Sequence, residues 1–309
     1  MKKSIIYNLN PFNNETNMSS VEYIIKKLLA FILIYMSSAV LGEGVIIGIL
    51  YGMGYDPLHG IMPAGEIGEL LLYYGFLVFS LVTLLYCRFI EKKKIKCVGF
   101  SGNPIEYLAG ALVATILLFI ILGIGCLCGS ISFCGFNTNV SIKSILLWVL
   151  AFGIQGATEE IMCRGFLLNS LKNRISIPLA ILISSTAFVF PHLSSLIEAD
   201  FVYVVIGIIN TYLLSIIFSI LVLWRSNIWI ACGLHSAWNF ILYVIMGLSL
   251  SGSESVSKGV VLFSVKDTSI LNGADYGIEA SVITTVVLGM LLFVMVKGWK
   301  GRIGKDGIS

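Results

Sequence analysis

The stretch ATEEIMCRGF, residues 157–166, carries two adjacent carboxylates and an arginine: Glu159, Glu160 and Arg164. It lies between LLWVLAFGIQG and LLNSL, in a strongly apolar part of the chain. Charges at membrane depth are costly, and by default they mark a functional site. Glu160 and Arg164 are four residues apart, so on a helix they share a face and can pair, with the glutamate on the favourable N-terminal side. Glu159 is rotated from Glu160 by about 100°. A salt bridge that locks helices together accounts for Glu160 and Arg164. It leaves Glu159 as a second buried carboxylate without a partner, which is expensive.

The chain has three histidines, and two of them stand in patterned apolar segments. His192 closes FVFPH at 188–192, one turn after Phe188. His235 opens HSAWN at 235–239, which puts Asn239 on the same helix face at i+4. Pro191 removes a backbone donor beside His192 and can kink its segment. Such irregularity is tolerated in a bilayer where it is packed in protein or lines a cavity. The third histidine, His59 in DPLHG, reads as a surface residue. A carboxylate and an imidazole can share a water and act as general base. A second imidazole and a carboxamide can donate hydrogen bonds to a developing oxyanion. Such a set can hydrolyse an amide bond without a serine, a cysteine or a metal. The same side chains could instead hold a metal such as zinc, since histidine and glutamate are good ligands. The zincin pattern H-E-x-x-H is absent.

These residues must be positioned by membrane helices. Only 12% of the 309 residues are charged, about half the usual share in a soluble domain. Runs of ~20 apolar residues suffice to cross a bilayer as helix. Eight are expected, at about 28–50, 70–87, 106–128, 144–168, 177–197, 203–224, 228–248 and 280–297. Cations gather on one side of this arrangement: Lys2, Lys3, Lys26 and Lys27, then Arg88, Lys92, Lys93, Lys94 and Lys96, then Lys172, Arg174 and Arg225, and finally Lys297, Lys300, Arg302 and Lys305. The opposite connections carry Asp56, Glu66, Glu198, Asp200, Asp267 and Asp275. The positive-inside rule then places both termini in the cytoplasm, and an even span count agrees. The basic run RFIEKKKIK at 88–96 reads as a topology signal beside anionic lipid rather than a nucleic-acid site.

The first ~20 residues are polar and lack a signal-peptide pattern. The first segment is therefore expected to be an uncleaved anchor behind a mobile tail. The seven cysteines show no C-x-x-C pair and read mostly as small apolar fillers, Cys163 included. Cys128 and Cys134 could meet near the outer face. Glu43 is expected near the outer interface and Gln155 within hydrogen-bonding reach of Glu159, one turn away. Asn210 and Trp238 read as packing residues. The glycine-rich GIGCLCG at 123–129 reads as close helix packing.

The succession EEIMCR at 159–164, FVFPH at 188–192 and HSAWN at 235–239 resembles the CPBP family. That family comprises the CAAX prenyl endopeptidases and the bacterial Abi, bacteriocin-processing and immunity proteins. The resemblance covers about 144–248, a four-helix core. It implies that Glu159 and His192 activate the attacking water, that His235 and Asn239 form the oxyanion hole, and that Glu160 and Arg164 hold the site together. One tension arises from topology. The segment ending at His192 runs outward, which sets His192 farther from the cytoplasm than Glu159 or His235 unless Pro191 kinks it or the span boundary shifts.

The expected fold is an all-α polytopic bundle of about eight transmembrane helices. A polar tail occupies 1–27, accessory helices 28–128, the catalytic core 144–248, an extracytoplasmic loop 249–279, and the last helix and tail 280–309. The expected function is intramembrane endopeptidase in a bacterial plasma membrane, acting on peptides or membrane proteins such as bacteriocin or signalling propeptides. No cofactor and no nucleic acid are expected, with a divalent metal, zinc, as the open alternative. The rivals are a non-catalytic bacteriocin-immunity protein of the same fold, a transporter using the Glu/His set as a proton relay, and a metal-dependent peptidase.

Overall fold

A computed structural model describes residues 4–196, 200–252, 259–265 and 268–306. Lys2, Lys3, Glu198 and Asp267, four of the charges that bear on topology, lie outside the described residues. Eight apolar helices dominate: α1 Ser20–Gly52, α2 Ile67–Leu85, α3 Glu106–Leu127, α4 Ile142–Glu160, α5 Ile177–His192, α6 Phe201–Arg225, α7 Trp229–Phe240 and α8 Val282–Asp306. Six are long and apolar enough to cross a membrane. The other two, α5 and α7 with its extension to Ile245, are shorter. The chain is an all-α integral membrane protein.

The helices are joined into one hydrophobic core. Helix α7 lies at its centre, against α3, α4 and α6, and both Trp238 and Leu234 on it are fully enclosed. The contact with α3 is a backbone approach. A Cβ on Gly233 would stand 1.9 Å from the Tyr107 carbonyl oxygen, so only glycine lets α7 come this close. The stretch 123–129 behaves otherwise. Nothing lies within 4 Å of a Cβ built on Gly123 or Gly129, whereas one on Gly125 would meet Ile131 of the outer segment, rather than a helix, at 3.1 Å. Close packing is concentrated at Gly110, Gly156, Gly165 and Gly233, which face a neighbouring segment.

Three helices pass into π-helical turns, at Tyr86–Ile90, Ile161–Leu168 and Ile241–Ile245. The second begins directly after Glu160 and the third soon after Asn239. A π turn widens the helix and shifts the phase of the residues beyond it, and such turns recur at functional sites.

The N-terminal tail is not free over its described part. Helix α1 starts at Ser20 rather than 28, behind a capping box of Ser19 and Glu22. The tail folds back on the bundle. Lys26 Nζ donates to Asn13 Oδ1 (2.7 Å) and the Glu15 carbonyl (2.8 Å), and the Tyr86 hydroxyl bonds the Pro11 carbonyl. Lys27 pairs with Glu91, which also takes Lys93 at 2.6 Å. Lys26 and Lys27 are thus buried with partners, and their charge does not end the helix as its position in sequence suggested.

The outer region is also more ordered than a loop. Strand β1, Ile131–Phe136, pairs antiparallel with β2, Val261–Val265, Ile131 opposite Val265 and Phe136 opposite Val261. Cys128 and Cys134 are both free and exposed. Glu43 is exposed, and His59 is exposed beside Asp56, 2.8 Å from its carboxylate.

Candidate active site

Helices α4, α5 and α7 bring the singled-out residues to one cavity of about 420 Å³, lined among others by Glu159, His192, His235 and Asn239. The outward position of His192 is resolved by length. Helix α5 has 16 residues, about 24 Å at 1.5 Å per residue, against ~30 Å of hydrocarbon. It ends at His192, short of that thickness. Pro191 is the penultimate residue of the helix, where a lost donor interrupts nothing downstream.

Glu159 and Glu160 point to different neighbours. Glu160 is fully buried, and its Oε1 accepts from Arg164 Nη1 (2.8 Å) and from His235 Nδ1 (3.0 Å). Arg164 is equally buried. Its Nη2 donates to the Ser215 carbonyl (2.9 Å) and hydroxyl (2.5 Å), and its Nε to Ser219 Oγ (3.4 Å). The guanidinium carbon lies over the rings of Phe188 (4.6 Å) and Phe218 (5.1 Å). Arg164 thus ties α4 to α6 while Glu160 ties it to α7.

Glu159 faces the cavity. Its Oε1 accepts from Gln155 Nε2 at 2.6 Å. Its Oε2 is buried with no hydrogen-bond partner among the described residues. That oxygen stands 3.9 Å from His192 Nε2 and 3.8 Å from His235 Nε2. His192 Nδ1 lies 2.8 Å from the Phe188 carbonyl. A carbonyl only accepts, so Nδ1 carries a hydrogen, and the neutral ring presents its lone pair at Nε2. Phe188 therefore serves twice, through its carbonyl on His192 and its ring on Arg164. The His235 ring stacks on Phe218 at 5.1 Å.

Asn239 lines the cavity, but one of its amide hydrogens is engaged. Its Nδ2 donates to Gln155 Oε1 at 2.8 Å. Gln155 thereby bridges Glu159 and Asn239. The i, i+4 spacing foretold its bond to Glu159, but nothing in sequence indicated its bond to α7. Thr158 secures the same turn to α2, through Ser80 Oγ (2.7 Å) and the Phe76 carbonyl (3.1 Å). Gly156 lets α4 and α7 meet, since a Cβ there would lie 2.7 Å from Ser236 N.

Asn210 and Trp238 are not mere packing residues. Both line the cavity. Asn210 Nδ2 donates to the carbonyls of Glu279 (2.8 Å) and Ser281 (2.9 Å), and Trp238 Nε1 donates to Glu279 Oε1 (2.9 Å). Glu279, which no sequence motif singles out, is the second cavity carboxylate. Its position in an apolar, glycine-rich approach to α8 held no periodic signal.

Among the described residues no group of three or more His, Cys, Asp or Glu side chains is arranged to hold a metal ion. Bonds of ~2.0–2.2 Å to tetrahedral zinc set ligand atoms roughly 3.4 Å apart. Glu159, His192 and His235 would have to close in by about half an ångström to bind one.

No curated protein matches the chain. The family model of type II CAAX prenyl endopeptidases, Rce1-like, matches residues 141–241. That segment covers α4 through α7 and includes every residue of the three sequence motifs. Six apolar spans around a segment of this kind agree with a membrane-embedded protease. Residues 141–241 are thus similar to type II CAAX prenyl endopeptidases, which supports a CPBP-type intramembrane peptidase.

Proposed function

We propose that the chain hydrolyses peptide bonds of membrane-associated substrates with a water held between Glu159 and His192. The observation that carries this is Glu159 Oε2, a buried carboxylate oxygen with no hydrogen-bond partner among the described residues, facing imidazole nitrogens at 3.9 and 3.8 Å. Those separations are too long for direct hydrogen bonds and suit a bridging water at ~2.8 Å from each group. With a lone pair at His192 Nε2 and another at Glu159 Oε2, such a water donates both of its hydrogens. Its own lone pairs then face the cavity, ready for a substrate carbonyl. As the oxygen–carbon bond forms, one proton passes to Glu159. It is later delivered to the amide nitrogen as the carbon–nitrogen bond breaks.

His235 and Asn239 would stabilise the oxyanion. His235 Nδ1 already donates to Glu160, so donation from Nε2 requires the imidazolium form. Glu160, which also takes Arg164, orients the ring by accepting from Nδ1. Asn239 has a second amide hydrogen beyond the one given to Gln155. Glu160, Arg164 and Gln155 are positioning residues in this scheme. Bacterial plasma membrane, cytoplasmic termini and propeptide substrates complete the reading, supported by the charge distribution and the Rce1-like segment.

The test is Glu159→Gln in purified full-length protein with a quenched fluorescent peptide library. Hydrolysis should fall by about 10²–10⁴, the usual value of general-base assistance, with unchanged elution and thermal unfolding. Full activity in a folded Glu159→Gln protein would rule the scheme out. It would also favour the non-catalytic immunity reading if protection against a bacteriocin persisted.

A further inference from the structure

The cavity has a second polar end, away from the reactive end at Glu159. Glu279 Oε1 accepts from Trp238 Nε1 (2.9 Å), and Oε2 accepts from the Ser251 backbone N–H (2.7 Å) and hydroxyl (3.0 Å). An indole N–H and a backbone N–H can only donate. Donors on both oxygens suit the ionised carboxylate. Yet Glu279 forms no ion pair among the described residues, and no lysine or arginine lines the cavity among them. A partly buried carboxylate without a counter-charge is costly. Tying the outer segment to α7 does not explain the charge, because an amide could accept the same indole hydrogen.

Asn210 supplies an independent observation beside it. Its Nδ2 is used on the Glu279 and Ser281 carbonyls. Its Oδ1 is buried and has no partner among the described residues. The residue is 3% exposed and lines the same cavity. A carboxylate and an unused amide oxygen make an acceptor-only pair, and an acceptor-only pair calls for a ligand rich in donors. The pair is also linked to the reactive end. Trp238, which holds Glu279, directly precedes Asn239, which is joined through Gln155 to Glu159.

We propose that Glu279 and Asn210 form a subsite for a cationic group of the peptide substrate, an ammonium or guanidinium, which selects substrates with a positive charge near the scissile bond. This rests on the peptidase reading for its purpose, but binding can be measured without turnover. The source of the cation is a lysine or arginine side chain or a free amino terminus, which differ in the peptide and not at the subsite.

The experiment uses full-length protein carrying Glu159→Gln, which stops turnover and leaves Glu279 as the remaining carboxylate in the cavity lining. Its affinity is measured for short, fluorescent, apolar peptides in detergent. One set is capped at both ends and carries a single lysine at successive positions. A second replaces that lysine by norleucine. A third has norleucine and a free amino terminus. At one lysine position, or with the free terminus, binding should be at least about tenfold tighter than for the capped norleucine peptide, as expected for a hydrogen-bonded charge. Adding Glu279→Gln should shrink the difference to less than about twofold and leave norleucine binding unchanged. Glu279→Asp, which keeps the charge, should retain part of it. Should Glu279→Gln fail to fold, the peptide comparison with Glu279 intact still decides. Equal binding of all three sets, or a lysine preference that survives Glu279→Gln, overturns the proposal. Hydrolysis of neutral peptides by the unmutated protein without charge preference would sink the subsite and leave the peptidase. Charge-selective binding without hydrolysis of any peptide would do the reverse.

Discussion

Removing the Glu160 carboxylate tests the division of labour between the two adjacent glutamates. In Glu160→Gln, Arg164 stays fully buried and loses its only anion among the described residues. Breaking a buried pair from one side costs roughly 3–5 kcal/mol. Arg164 keeps the Ser215 carbonyl, the Ser215 and Ser219 hydroxyls and two aromatic faces, so the lower end, about 3 kcal/mol, is expected. Arg164→Met alone strands Glu160, which among the described residues retains only His235, and should lose a similar amount. The double variant carries neither charge, so its loss should fall short of the sum of the two single losses by a coupling of about 2 kcal/mol between the sites. Compensation stays partial because the Ser215 hydroxyl is left without its partner. The assay is equilibrium unfolding in mixed micelles followed by tryptophan fluorescence, with Trp148 and Trp238 enclosed in the core as reporters. Activity separates stability from chemistry. The double variant should remain impaired, because position 160 no longer offers His235 Nδ1 a carboxylate. If Glu160→Gln is as stable as the parent, or if the two single losses simply add, the buried-pair reasoning is wrong.

Gly156→Ala places a Cβ 2.7 Å from both Ser236 N and Ser236 Oγ. Overpacking should cost about 1–3 kcal/mol and push α4 from α7, so the rate of peptide hydrolysis should drop out of proportion to the loss of unfolding free energy. A fully active Gly156→Ala protein would show that the spacing of the two helices is not critical. Purified protein should hydrolyse peptides without added metal. Complete loss with a chelator, restored by zinc, would turn Glu159, His192 and His235 into ligands. Reporter fusions at Lys94 and Asn139 should report opposite sides of the membrane, with Lys94 cytoplasmic, and a shared side would mean a miscounted span.

Much was decided by local spacing and composition. Apolar runs implied the helices, because backbone in lipid has few other ways to satisfy itself. The i, i+4 separation of Glu160 and Arg164 foretold their pair, and that of Gln155 and Glu159 their hydrogen bond. The order of three short motifs pointed to the family. The features beyond reach depended on contacts between residues far apart in the chain. The descent of His192 to Glu159 results from where α5 ends against its neighbours, and an apolar run does not announce its last turn. The buried lysines at 26 and 27 find partners more than ten and sixty residues away, so their charge alone misplaced the start of the first helix. The link from Asn239 to Gln155 spans 84 residues. Glu279 and Asn210, 69 apart, became part of the cavity only because the outer segment folds onto α6 and α7. A hydrogen-bond network across helices is set by their rotation and depth, which side-chain packing decides and periodicity leaves open.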